Sequence, residues 1–214
     1  MIIGGIDEAG RGPAIGPLVM AIACIDPKDE DKLKKLGVKD SKLLTPEQRE
    51  RMLPEIRKLC KLDIVKILPE EVDSAVLSDE TNLNWLEADH AVMMLNKMRP
   101  DKAFIDCPST NQKAYKDYIV SRLKYKPELV VEHKADYKYV IVGAASIAAK
   151  VTRDHEISEL KKKYNVDFGS GYPSDPKTAQ FIKDNRGKYP FFRKSWACCR
   201  ESPESGVQKK LSGF

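Results

Sequence analysis

Ten residues near the start of the chain constrain its fold more than any others. The segment Glu8-Ala9-Gly10-Arg11-Gly12-Pro13-Ala14-Ile15-Gly16-Pro17 holds three glycines and two prolines, so no helix can run through it. Ile2 to Ile6 precedes it, and Leu18 to Ile25 follows it; both runs are rich in β-formers. The chain is therefore expected to open as two antiparallel strands joined by a tight turn that uses φ > 0. Gly10-Arg11-Gly12-x-x-x-Gly16 superficially resembles a dinucleotide fingerprint, but that motif must open a helix, and here a strand follows. The functional expectation is a close backbone approach to a ligand, with Arg11 near a phosphate.

The remaining pattern alternates. Thr45-Pro46-Glu47-Gln48 carries a capping box with proline at the first helical position. Met52, Leu53, Ile56, Leu59 and Cys60 continue at helical spacing, and Pro54 predicts a kink or restart. Asp63 to Leu68 reads as a third strand. Helices are predicted over 82–98, 112–123, 140–163 and 178–185, with strands at Ala103 to Asp106 and Leu129 to Glu132. Strand-helix alternation implies parallel strands and the hairpin-like start implies antiparallel ones. The sum is an α/β fold with a mixed five-stranded sheet covered by helices. Gly169 to Pro176 is a loop ending in an N-cap signal, and residues 201–214 read as a flexible tail.

Composition excludes several classes. Hydrophobic residues make up 42% of the 214, enough for a sizeable core, and no apolar run approaches a membrane span. The first residues lack the pattern of a secretory signal, so a cytoplasmic protein is expected. The five cysteines show no CxxC and no zinc spacing, which predicts reduced, packed thiols. A net charge of +5 leaves nucleic-acid binding open without requiring it. Met93, Met94 and Met98 read as core. His90 reads as packed or solvated, His155 as solvent-facing, and His133 as a neighbour of the acidic residues described next.

Acidic residues stand at the ends of predicted strands. Asp7 and Glu8 end the first, Asp106 ends the Phe104-Ile105 strand, and Asp136 follows the Val130-Val131 strand. If these strands are neighbours, the carboxylates converge where open sheets bind ligands. Carboxylates that close repel one another, and oxygen-loving cations such as Mg²⁺ or Mn²⁺ would relieve the repulsion. Two such ions could clamp the attacking and leaving oxygens of a phosphodiester. Any single one of these residues could equally serve a turn or the surface.

Five blocks in order extend this reading. Asp7-Glu8-Ala9-Gly10-Arg11-Gly12-Pro13 with Ile15-Gly16-Pro17 resembles the opening signature of the ribonuclease HII family. Asp40-Ser41-Lys42, His133-Lys134-Ala135-Asp136, the block from Ala145 to Asp154, and Gly169-Ser170-Gly171-Tyr172-Pro173-Ser174-Asp175 resemble its later blocks. The resemblance runs from about residue 3 to 196 and is closest to the archaeal, single-subunit form. It implies a ribonuclease H-like fold with a small helical C-terminal extension. The implied boundaries are a catalytic domain over 1–172, the extension over 173–200 and a tail over 201–214.

The resemblance also implies a metal-dependent endoribonuclease that acts on RNA/DNA hybrids and cuts 5′ of single ribonucleotides in duplex DNA. It carries catalytic and metal-binding roles onto Asp7, Glu8, Asp106 and Asp136, with two ions per site. It carries junction sensing onto Gly10, Arg11, Gly12 and Tyr172, and phosphate contact onto Lys42, Lys150 and Arg153. The chemistry is coherent: only a 2′-hydroxyl separates ribose from deoxyribose, and a glycine turn can approach it closely. A second reading is another two-metal nuclease of the same fold. A third is a non-catalytic nucleic-acid or clamp-binding module, which intact carboxylates at all four positions disfavour.

The tail Gln208-Lys209-Lys210-Leu211-Ser212-Gly213-Phe214 resembles the peptide that binds PCNA-type sliding clamps, ending after one aromatic instead of two. Gln208, Leu211 and Phe214 would make the contacts. A monomer that binds no membrane is expected.

Overall fold

The computed structural model describes residues 1–38 and 44–200; the Asp40-Ser41-Lys42 block and the clamp-like tail lie outside them. Five strands form one sheet: β1 (Ile3–Ala9), β2 (Leu18–Ile25), β3 (Lys61–Ile67), β4 (Lys102–Asp106) and β5 (Glu128–Glu132). Their order is β3-β2-β1-β4-β5. The β3-β2-β1 half is antiparallel, and β4 and β5 join β1 in parallel. The mixed five-stranded sheet read from the sequence is thus the one observed. β1 runs three residues beyond the expected Ile6, so Asp7 and Glu8 lie inside a strand. Their pairing to β2 explains the extension, since Asp7 faces Ala21 and Glu8 faces Met20 across the ladder. The pairing of β1 with β4 ends at Ile6 and Ile105.

Two helical layers cover the sheet. On one face α7 (Val140–Tyr164) crosses β1 and β2, with α1 (Glu30–Lys35), α2 (Pro46–Leu59) and the one-turn α6 (Ala135–Lys138) nearby. A Cβ on Gly5 would come within 2.5 Å of the Ile141 and Val142 backbone, so only glycine lets α7 lie this close to β1. The small residues from Gly143 to Ala149 are buried along that contact. On the other face α3 (Pro69–Leu77), α4 (Leu83–Met98) and α5 (Gln112–Arg122) pack with Ile6, Ile22, Ala103, Ile105 and Val131. α1, α3 and α6 were not read from the sequence, being short and weakly periodic. Leu68, read as strand, is the N-cap of α3, because Pro69 at the first helical position starts the helix there.

Two expectations are narrowed: the helix does not restart at Pro54, and one of the three methionines lies outside the core. α2 passes through Pro54 as one helix. Pro54 and Glu50 are both exposed, so water can bond the Glu50 carbonyl that a proline leaves without a partner. Met93 is 60% exposed, whereas Met94 is buried and Met98 packs at the core edge. The capping box at Thr45 and Gln48 forms as read, with both reciprocal hydrogen bonds. All five cysteines are free, and four are buried.

The C-terminal segment makes a third core. α8 (Pro176–Asn185) and the strap after it bring Ile182, Phe191, Phe192 and Cys199 against Phe168, Ile157, Ala14 and Ile15. Ile15 and Phe192 form an isolated antiparallel bridge. This extension therefore packs directly on the glycine turn of the β1–β2 connection. No helix among the described residues is long and apolar enough to cross a membrane.

Candidate active site

Strand pleating explains how two adjacent acids serve two faces. Side chains alternate along β1, so Ile6 and Glu8 point toward α4 while Gly5 and Asp7 point toward α7. Asp7 is buried and accepts the Glu8 N–H at 2.8 Å. Asp7 and Asp106 directly follow the last paired residues of β1 and β4, Ile6 and Ile105, so both carboxylates leave neighbouring strands at one level. Burial pushes the Asp7 carboxyl up to about 6, and the Asp106 charge adds to the rise. Lys150 and a hydrogen bond from Ser146, both on α7, oppose it. Ser146 is fully buried and lies 2.5 Å from Lys150 Nζ.

The other two acids are set by β1 and by the start of α6. Burial pushes Glu8 well above the ordinary carboxylate range, and the charges of Asp7, Glu87 and Asp106 push the same way. Asp106 Oδ1 accepts the Ala135 N–H at 2.9 Å. That bond brings the start of α6 against the end of β4. Asp136, the next residue, is buried. Lys134, with φ 57, makes the tight entry into this one-turn helix. His133 Nδ1 is 2.9 Å from the carbonyl of Cys107, the residue after Asp106. His90 is buried with Nε2 2.8 Å from Glu71, and His155 is exposed beside Glu50.

A groove of about 730 Å³ runs beside these acids. Glu8, Gly10, Arg11, Gly12, Lys150, Arg153 and Tyr172 line it, together with Arg49, Lys161 and Ser170. Asp7, Asp106 and Asp136 are not part of that lining. Tyr172 is 40% exposed, and the Arg153 guanidinium lies 5.2 Å from its ring centre. Arg153 also donates to the Ser170 carbonyl at 3.2 Å, and its burial lowers its pKa. Gly10 has φ 84, and a Cβ there would come within 2.6 Å of the Arg153 side chain. Lys42 lies outside the described residues.

Arg11 lines the groove, and its side chain is anchored on α4. Its Nε donates to Glu87 at 2.9 Å and its Nη2 to Asn84 at 2.7 Å, both on α4. Burial pushes the Glu87 carboxyl up to about 7, with Arg11 pulling it back. The side chain thus spans from the turn to α4. Ser146, Glu87, Asp73, Arg193 and Trp196 were not singled out as site residues from the sequence. Ser146 stands inside the Ala145 to Asp154 segment without a chemical signal of its own. A buried arginine in a C-terminal segment has no periodic signature.

A mixed sheet with acids at the ends of adjacent strands, beside a basic groove, is the arrangement of a ribonuclease H-type nucleic-acid hydrolase. The family model described as Ribonuclease HII matches residues 4–199. The chain is 44% identical to Ribonuclease HII of Pyrococcus furiosus, over 98% of this chain and 95% of that one. This chain belongs to the ribonuclease HII family, and it is a type 2 ribonuclease H that acts as an endoribonuclease on RNA/DNA hybrids. It resembles the crystal structure of the ribonuclease H2 from Pyrococcus horikoshii OT3 at 43% identity, with a TM-score of 0.85 over 93% of this chain and 95% of that one. It also resembles the structure of the PCNA:RNase HII complex from Archaeoglobus fulgidus, at 41% identity and a TM-score of 0.79 over 85% of each chain.

Proposed function

We propose that this ribonuclease H cuts 5′ of a ribonucleotide, including a single one embedded in duplex DNA, and leaves 3′-hydroxyl and 5′-phosphate ends. Asp7, Glu8, Asp106 and Asp136 would hold two Mg²⁺ or Mn²⁺ ions. The observation that carries this reading is Asp7 beside Asp106 at the adjoining ends of β1 and β4, with the Asp7 carboxyl pushed up to about 6. The donor set fits: every proposed ligand is a carboxylate, the set that hard divalent cations prefer. Among the described residues no group of three or more Asp, Glu, His or Cys side chains is already close enough to hold an ion. Carboxylates drawn together there would repel one another, and a divalent cation would offset that repulsion.

When bound, the ions would neutralise this charge and stabilise the attacking and leaving oxygens of the phosphodiester. The chain's own groups do the rest. Ser146 orients Asp7. Lys150 and Arg153 hold phosphates along the groove, with Lys42 assigned the same role. The Gly10-Arg11-Gly12 backbone reads the 2′-hydroxyl, and Tyr172 stacks on the neighbouring deoxyribose, where a 2′-hydroxyl would be crowded. Incubation with a duplex carrying one ribonucleotide, with and without Mg²⁺, tests the reading. Cleavage 5′ of that nucleotide only with metal is expected. Cleavage elsewhere, or equally without metal, refutes it.

The division of labour proposed along the chain is catalysis by residues 1–172, support by 173–200 and partner binding by 201–214, in a monomer. The solved structure of a PCNA:RNase HII complex from Archaeoglobus fulgidus and the QxxLxxF pattern of Gln208, Leu211 and Phe214 support a PCNA-type clamp as that partner.

A further inference from the structure

Arg193 is a fully buried cation with an unusual set of partners. Its three donor nitrogens reach backbone carbonyls alone: Nε to Gly16 at 3.1 Å, Nη1 to Arg11 at 2.9 Å and Nη2 to Gly10 at 2.6 Å. Trp196 Nε1 takes the next carbonyl of the turn, Gly12, at 3.0 Å. The carbonyls of Gly10, Arg11 and Gly12 are thus all committed to one six-residue strap, 191–196. The Arg193 N–H donates back to the Ala14 carbonyl at 2.9 Å, and the Gly16 N–H reaches Phe191.

The strap is itself buckled. Asp73, on α3, accepts the Lys194 N–H at 2.8 Å, the Ser195 N–H at 2.9 Å and the Ser195 hydroxyl at 2.5 Å. Burying a guanidinium carries a large desolvation penalty, and Arg153 nearby adds like-charge repulsion. A hydrophobic side chain would fill the same space without that penalty. What it could not do is hold three carbonyls at fixed directions, which a rigid five-donor fork does. Among the described residues no hydrogen bond takes the N–H of Arg11 or Gly12, so these donors remain for a ligand once the carbonyls are fixed.

We propose that Arg193 and Trp196 are positioning residues that aim the Gly10-Arg11-Gly12 turn, so that the C-terminal strap sets discrimination between ribose and deoxyribose. This rests on the reading of that turn as the ribose sensor. The strap touches no substrate; it acts through the turn. Because each carbonyl is bound by a separate donor, loss of one donor loosens one peptide unit and leaves the carboxylates in place.

The test measures binding of a duplex with one ribonucleotide and of the all-DNA duplex of the same sequence, in Ca²⁺, for the full chain. Trp196→Phe keeps an aromatic ring beside Arg193 and removes the N–H to Gly12, together with part of the indole's packing surface. Arg193→Gln removes the fork, and Arg193→Lys keeps the charge. Trp196→Phe should shrink the ribose preference by about three- to tenfold, the worth of one hydrogen bond. Arg193→Gln should shrink it further, with Arg193→Lys between Gln and the parent. Affinity for all-DNA duplex should stay within about twofold. A merely structural strap would weaken both duplexes in parallel and leave the ratio unmoved, which overturns the proposal. If the Arg193 variants do not fold, Trp196→Phe decides by its ratio alone. If the parent itself shows no ribose preference, the sensor reading falls and the proposal falls with it. If instead mutation of Gly12 abolishes the preference while Trp196→Phe leaves it whole, the sensor stands and the strap does not.

Discussion

Ser146 Oγ lies 2.5 Å from Lys150 Nζ, one helical turn away on α7, and the same hydroxyl hydrogen-bonds Asp7. This places a neutral hydroxyl between a buried acid and a lysine on the groove wall. The contact exists because Gly5 lets α7 settle onto β1, which puts the fully buried Ser146 level with the strand residue two positions beyond that glycine. Asp7 is thereby held in one orientation from the helix side, while the Glu8 N–H holds it from the strand side at 2.8 Å.

Ser146→Ala should therefore lower cleavage without unfolding the chain. Partners that orient metal-binding acids are worth about 10- to 100-fold in activity or metal affinity. The expected readout is a weaker apparent Mg²⁺ affinity with an unchanged circular dichroism spectrum. Full activity at low Mg²⁺ would show that Ser146 only fills space.

Asp7 also makes metal-free stability depend on pH, and the sign follows from its raised carboxyl. The folded state keeps the proton up to about 6, against 3.8 for the ordinary group. The advantage of the folded state is therefore fully present below about pH 4 and is lost as pH rises through about 6. Without divalent metal, melting temperature should rise on acidification from pH 7 to 5, and Asp7→Asn should flatten that slope. The effect is on the order of 3 kcal/mol at most. Glu8 acts in the same direction. Added Mg²⁺ should offset the loss at pH 7, and cleavage by Asp7→Asn should fall to background. A flat profile in the parent would remove the buried acid from this account.

Tyr172 stands at the open side of the groove with Arg153 against its ring. Tyr172→Ala should weaken cleavage at a single ribonucleotide by about 5- to 150-fold, the range for one stacking contact. Metal-dependent stabilisation should persist. Parent-like rates on that substrate would reduce Tyr172 to a loop anchor.

The clamp prediction concerns the tail alone. A chain truncated after residue 200 should cut short free duplexes at the parental rate, since no proposed catalytic residue lies beyond Tyr172. It should lose stimulation by the clamp on clamp-loaded DNA. A 201–214 peptide should bind the clamp, and Phe214→Ala should bind more weakly. Equal binding by Phe214→Ala would take the aromatic out of the interface.

Strands, capping and the order of the acidic positions were legible in the sequence because they follow from local rules. Runs rich in β-formers made β1 and β2, a Thr-Pro-x-Gln quartet began α2, and a glycine- and proline-rich connection forced the first turn. What stayed hidden depended on partners far apart in the chain. Proline at position 54 looked disruptive until the exposure of Glu50 was known, and Met93 looked internal until α4 was seen to turn it outward. Arg11 was legible as a candidate phosphate contact, but not its anchoring to Glu87, 76 residues on. The amino-acid sequence alone determined which residues could carry the chemistry and which segments could become strands or helices. Only the tertiary structure decided that Asp7 and Asp106 stand side by side, that α7 delivers Ser146 to Asp7, and that Arg193 reaches Gly10 across 183 residues. The physical reason is that pairing across a sheet and burial of a charge depend on neighbours supplied by packing, and no local pattern encodes them.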